Sequence, residues 1–350
     1  MKEPAPISYL MLHRAQDRRD IYRSSAPVFW SDELACWMVF DADVINQILR
    51  NEDFQVSWSK NDVVALEERL RIELRGISRV ANFMPVAHEG VVHASLRKAM
   101  ALALNEATEQ ALSIFGEFTE RRIADLIECG EPFDIFEKVL APASSKLMAQ
   151  LSGIGFAPLN GELAPPQMLD RLLSVKRRKL IDRKICELFA AASEHVPQGN
   201  EEIRVAIAIL GSDSLLGSIA ETFIDEVSNN PGKLLSDIVW SEKLTASAVP
   251  YIERKAARST TVDAKVIEAG DRIRLYLDVF KSCDMSQQDS YFGARKHACL
   301  GRSISQRAWR ILSSCFKQMS KRIEIQSIEY RQSDFMFNFT SSIKVAIRDK

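Results

Sequence analysis

The stretch Tyr291-Phe-Gly-Ala-Arg-Lys-His-Ala-Cys-Leu-Gly-Arg302 decides how the rest of the chain is read. Cys299 lies between Gly293 and Gly301 and follows His297 by two residues. Beyond Arg302, apolar residues recur at Ile304, Ala308, Ile311, Leu312 and Cys315, in a run that reaches Arg322. That spacing is helical, so the sulfur falls at a helix N-terminus. Free N–H groups and the positive end of the helix dipole there favour a thiolate over a thiol. A thiolate is a metal ligand, and the same cysteine also reads as a buried structural thiol.

Aromatic, glycine, histidine, cysteine and glycine in this order resemble the haem-binding loop of the cytochromes P450, whose pattern is F-x-x-G-x-H/R-x-C-x-G. The resemblance implies that Cys299 is the metal ligand, holding haem b iron, with Phe292, His297 and Gly301 beside the cofactor. One position departs from the pattern. Arg295 stands where the family has its first invariant glycine, and a side chain there costs about 1–3 kcal/mol if the backbone still needs an unusual φ.

Two further segments fit. His93 and Arg97 are four apart at the start of a helical run through Leu104, so both project from one face. They read either as an anion clamp or, with Lys98, as a solvated basic face. "HASLRKAM" resembles the family's H-x-x-x-R, which donates to a haem propionate, and Arg254 matches the arginine that reaches a propionate from the strand region. With His297 this makes a set of four donors from distant segments, in the order the family requires.

Asn200, Glu201 and Glu202 open a long apolar run from Ile203 to Ile224, which predicts a central helix. In its middle, Leu210-Gly-Ser-Asp-Ser214 resembles the signature A/G-G-x-D/E-T. The resemblance implies that Gly211 and a hydroxyl open the helix above the haem. It also implies that Asp213 and Ser214 deliver protons for dioxygen activation, as an acid and an alcohol side by side can. A buried Ser/Asp kink with no chemical duty is the alternative.

The match departs at two places between Asn229 and Phe292. Trp240-Ser-Glu-Lys-Leu-Thr245 resembles the family's E-x-x-R helix, but Thr245 replaces the arginine, and positions 281 to 291, before Phe292, hold no arginine either. An unpaired Glu242 is costly if buried, so it is expected to lie partly exposed. Val266 to Ile273 resembles the family's I-x-A-G-d-x-V strand turn, and Phe335 to Ile347 alternates like a closing hairpin.

Elsewhere, Pro27–Trp30 and Cys36–Phe40 read as a hairpin, with Asp41 capping a helix to Leu49 and a charged helix near Val63 to Arg75. Phe83 and Met84 read as pocket residues or as plain packing. Helices separated at Gly130 and by the Gly- and Pro-rich Gly153–Pro166 fill the stretch from Glu106 to Gln198, and that break predicts a lid. His195 reads as a surface residue, and Ile207, Val249 and Phe337 as pocket residues by segment correspondence.

The 350 residues are 46% hydrophobic and 27% charged, which suits a globular protein with a sizeable core. With 46 basic against 47 acidic residues, the balance gives no reason to expect nucleic acid or an anionic membrane. Six scattered cysteines suit a reducing cytoplasm. Met1–Ser25 lacks the apolar run of a signal peptide or membrane anchor.

The expectation is a mainly α fold with a minor β region, P450-like, forming a single haem domain over 1–350. The resemblance implies oxidation of a small organic molecule in specialised biosynthesis. Electrons would come ultimately from NAD(P)H through a ferredoxin-type donor on a rim of Lys98, Arg295, Lys296 and Arg302, which also reads as a solvated cluster. Two other readings stay open. One is a haem enzyme of non-monooxygenase chemistry, such as a dehydratase, isomerase or peroxide-driven oxidant; the other is a non-catalytic haem- or ligand-binding relative.

Overall fold

The computed structural model describes residues 19–129, 131–155, 165–169, 173–195, 199–283, 289–330 and 340–348. Its helices are α1 Arg19–Ser24, α2 Ala42–Arg50, α3 Lys60–Leu70, α4 Arg75–Ala81, α5 Gly90–Cys129, α6 Ala141–Ser152, α7 Val175–His195, α8 Glu201–Ser228 and α9 Arg302–Lys317. The strands are β1 Val28–Ser31, β2 Cys36–Val39, β3 Phe54–Val56, β4 Phe133–Asp134, β5 Tyr251–Ala256, β6 Thr260–Val262, β7 Lys265–Ile267, β8 Arg272–Tyr276, β9 Arg322–Tyr330 and β10 Thr340–Arg348. They form a five-stranded sheet in the order β1-β2-β8-β5-β3, a three-stranded sheet β4-β10-β9 and the pair β6-β7.

Local chemistry explains several boundaries. The β1–β2 hairpin pairs Val28 with Val39, and the Asp41 carboxylate accepts from the Asp43 and Val44 N–H groups to start α2. α3 ends at Arg71 in the left-handed region, short of Arg75. α5 runs unbroken from Gly90 to Cys129, so no boundary follows Leu104. Its only interior glycine, Gly116, faces Ile311, whose methyl would lie 3.3 Å from an added Cβ; close packing on α9 therefore suits a residue without one. α8 is the one described helix long and apolar enough to cross a membrane, and here it is the buried centre of the helical layer.

Two apolar cores result. The larger joins α4 to α9 and includes Trp309, Phe115, Phe223 and Phe316. The smaller lies under the five-stranded sheet, with Met38, Ile45, Ile273 and Phe280. Phe292 packs against both, so the cysteine loop lies on the seam. On the sheet, Glu253 bonds the buried Arg274 at 2.7 Å, and that guanidinium lies 4.0 Å over the Tyr251 ring.

Trp240–Pro250 is not helical, which corrects the expected E-x-x-R helix. Its backbone N–H groups are taken up by α8 instead. Ser241 donates to Glu226 Oε1 at 3.2 Å, Thr245 to Thr222 Oγ1 at 3.2 Å and Ala248 to Ser218 Oγ at 3.1 Å. Residues 218, 222 and 226 share one helical stripe, so the segment is laced antiparallel along it. The Trp309 indole donates to the Ser241 carbonyl at 2.9 Å, and Trp240 stacks on Phe316 at 5.5 Å. Two hydroxyls and the Glu226 carboxylate thus hold this segment, with no arginine in it. Glu242 is exposed, as expected.

Phe335 and Phe337 lie outside the described residues, as does the His195 side chain and most of the Gly153–Pro166 break. Met84 is fully buried in the larger core and Phe83 packs against it, which favours plain packing for both.

Candidate haem-thiolate site

The cysteine loop is built by two left-handed residues. Gly293 has φ +71°, and Arg295 has φ +51°, so the arginine keeps the backbone conformation that the family's glycine would supply. A Cβ on Gly293 would meet the His297 carbonyl at 3.1 Å. The loop closes through Cys299 N–H to Phe292 C=O at 2.6 Å and Ala298 N–H to Arg295 C=O at 3.1 Å, and α9 begins three residues after the sulfur.

Cys299 Sγ receives the backbone N–H groups of Gly301 and Arg302, and feels the charges of Arg97 and Arg302. Its thiol pKa is nevertheless raised, because desolvation by the surrounding protein outweighs these four favourable contributions. This corrects the expectation that the helix end by itself yields a thiolate. Proton loss here needs a positive centre at the sulfur, as metal binding provides. The side chain is nonetheless partly exposed. A Cβ on Gly301 would lie 3.8 Å from the sulfur.

The cationic set gathers around this loop. His93 and His297 lie with ring centroids 4.3 Å apart. His93 is buried, and its Nε2 has no hydrogen-bond partner among the described residues. Burial and then the Arg97 charge lower its pKa. His297 is pushed down to about 4, by burial first and Arg254 second. Arg254, on β5, is lowered to about 10 by desolvation, and Arg97 is lowered by the same cause. These are cations and donors held out of water with few protein acceptors, which suits anionic carboxylates of a bound group.

Glu89 is the residue that sequence reasoning missed. Its carboxylate takes Val56 N–H at 2.9 Å, Lys296 Nζ at 2.8 Å and His297 Nε2 at 3.2 Å. Burial pushes its pKa up, but the Lys296 and Val56 bonds and the His297 and Lys296 charges more than offset this, leaving it lowered. Its place four residues before His93, on the same approach to α5, was the available signal. The rim is also modified. Lys98, Arg295 and Lys296 are exposed, but Lys296 is paired with Glu89, and Arg302 lies 5.7 Å from the Phe292 ring.

On α8, the helix does not open at Gly211. Ser212 Oγ donates to Ala208 C=O and Ser214 Oγ to Leu210 C=O, each at 2.8 Å, within continuous α-helix. A Cβ on Gly211 would meet the Met148 Sδ at 3.1 Å, so this glycine makes room for α6. Asp213 is buried and, as the helix neighbour of Ser214, points about 100° away from it.

Among the described residues, no group of three His, Cys, Asp or Glu side chains is set to hold a metal ion. A haem would need no such group and would ask this chain for a ligand to its iron, and Cys299 with the nearby cations has that chemistry.

A mainly α protein with this sheet order and a cysteine loop on the seam before its last helix has the cytochrome P450 fold. Solved structures align along nearly the whole chain. P450BioI, in complex with an acyl carrier protein ligated by hexadec-9Z-enoic acid, superposes with a TM-score of 0.73 at 18% identity, covering 95% of this chain and 98% of that one. P450 RauA, complexed with a biosynthetic intermediate of aurachin RE, gives 0.69 at 15% identity and covers 98% of each chain. A thermophilic cytochrome P450 from Sulfolobus tokodaii gives 0.71 at 15%, covering 95% of this chain and 100% of its own. No family model matches the sequence, and no curated protein matches it.

Proposed function

We propose that this chain is a haem-thiolate protein, one haem domain throughout, that oxidises a small apolar organic molecule in specialised biosynthesis. The observation that carries this reading is Cys299 Sγ beneath two backbone N–H donors, with Arg97 acting on it and His93, Arg254 and His297 clustered beside it. When bound, haem b supplies redox chemistry with dioxygen, and a thiolate ligand favours O–O cleavage. Cys299 would hold the iron, and the two N–H donors and Arg97 would moderate the charge on its sulfur. Arg97, Arg254 and His93 Nε2 would hold its carboxylates, and Phe292 and Gly301 would shape the loop beside it. Asp213 and Ser214 are the chain's candidates for holding and passing a proton at Oδ and Oγ, beside Gly211.

Electrons would come from NAD(P)H through a ferredoxin-type donor in the cytoplasm, and exposed Lys98 and Arg295 support a docking face. Neighbours solved with a biosynthetic intermediate and with a fatty-acyl carrier protein support the biosynthetic setting. A second reading, peroxide-driven or non-oxygenating haem chemistry, is favoured by one observation. The Ser214 hydroxyl is already bonded to Leu210 C=O in an unbroken helix, which leaves it poorly placed as a relay. Turnover with peroxide but not with a reductase would select it.

The deciding experiment is the absorption spectrum of the reduced, carbon monoxide-bound protein beside Cys299→Ser. A strongly red-shifted Soret band, lost in the variant, is expected. No haem, or a band unchanged by the substitution, would remove the haem-thiolate reading.

A further inference from the structure

The haem-carboxylate end of the site contains an anion of its own. Glu89 sits against Lys296 at 2.8 Å and His297 Nε2 at 3.2 Å, and is fixed there by the Val56 N–H at 2.9 Å. Val56 is the ladder partner of Arg254, so the carboxylate is tied to the strand pair that carries this arginine. A neutral histidine has one N–H to give, and in His297 it is directed at Glu89. Among the described residues, His93 Nε2 is buried and without a partner.

We propose that Glu89 is a built-in competitor for the haem carboxylates: it occupies Lys296 and His297, so that Arg97, Arg254 and His93 alone anchor that end and haem is released readily. The proposal rests on the haem reading above. A carboxylate beside another carboxylate in a partly desolvated site repels it, whereas an amide of the same shape does not. Haem retention in this chain is therefore set in part by a residue outside the four-donor set, and the protein is built to exchange its cofactor more easily than that set suggests.

The test is Glu89→Gln, in which the amide oxygen still accepts the Val56 N–H and the fold is retained. Each haem-loaded protein is mixed with excess apomyoglobin, and transfer is followed at the Soret band. Glu89→Gln is expected to release haem more slowly, on the order of tenfold, with the carbon monoxide spectrum and the melting temperature of the ligand-free chain unchanged. If both proteins show the thiolate spectrum and Glu89→Gln releases haem as fast or faster, Glu89 is a structural clasp and the competitor role is wrong. If neither protein takes up haem, the haem reading fails and takes this proposal with it.

Discussion

Arg295→Gly probes the most unusual backbone position in the cysteine loop. At φ +51°, an L-residue is held in the left-handed region at a cost of about 1–2 kcal/mol. Glycine removes that cost but loses about 0.5–1 kcal/mol through the extra freedom of its unfolded chain. The arginine side chain gives little in return, since its one ion pair among the described residues, with Glu52, spans 3.9 Å between groups 59% and 82% exposed, and such pairs contribute close to nothing. The net gain is about 0.5–1 kcal/mol. With a urea slope of about 3 kcal/mol/M, the unfolding midpoint of the ligand-free chain rises by about 0.2–0.3 M. Arg295→Ala is the control, because it removes the charge and keeps the Cβ. Equal midpoints for the two variants, or a lower one for glycine, would refute the claim that strain is stored at this residue.

Two other outcomes follow from the interior. Thr222→Val conserves shape but leaves the Thr245 N–H without its acceptor at 3.2 Å, so it should destabilise by about 1–3 kcal/mol in the same urea assay; a loss below 0.5 kcal/mol, on the order of a neutral surface change, would show that the lacing on α8 does not brace the 241–248 segment. Cys36, buried under the sheet, has its thiol pKa raised from 9.0 to about 11, chiefly by desolvation. Above pH 9 the unfolded chain loses a proton that the folded chain keeps. Its contribution is therefore full below pH 9 and is lost as pH rises through about 11, at up to about 1.4 kcal/mol per unit. Cys36→Ala should flatten the alkaline limb of the stability curve relative to the parent, and identical limbs would contradict this.

The sequence by itself determined the features that depend on short-range order. Helical spacing after Arg302 located α9, alternation around a polar turn located the β1–β2 hairpin, and the apolar run after Asn200 located α8. Each of these patterns is enforced by the backbone period of one element. The Cys299 loop and the set His93, Arg97, Arg254 and His297 were legible because their residue types and chain order are distinctive, and the tertiary structure gathers them.

What only the tertiary structure decided involves competition between distant groups. Trp240–Pro250 stays out of a helix because Ser218, Thr222 and Glu226 bind its N–H groups better placed than its own carbonyls would be. The Cys299 pKa rises because desolvation, a property of everything packed around the sulfur, exceeds the pull of two N–H donors and two guanidinium charges. Glu89 joins the cationic cluster because β3 presents Val56 to it, and Arg295 keeps a glycine's conformation because the loop must close on Phe292 and Cys299. No local pattern carries these outcomes, since each is set by which of several nonlocal interactions is stronger once the chain has packed.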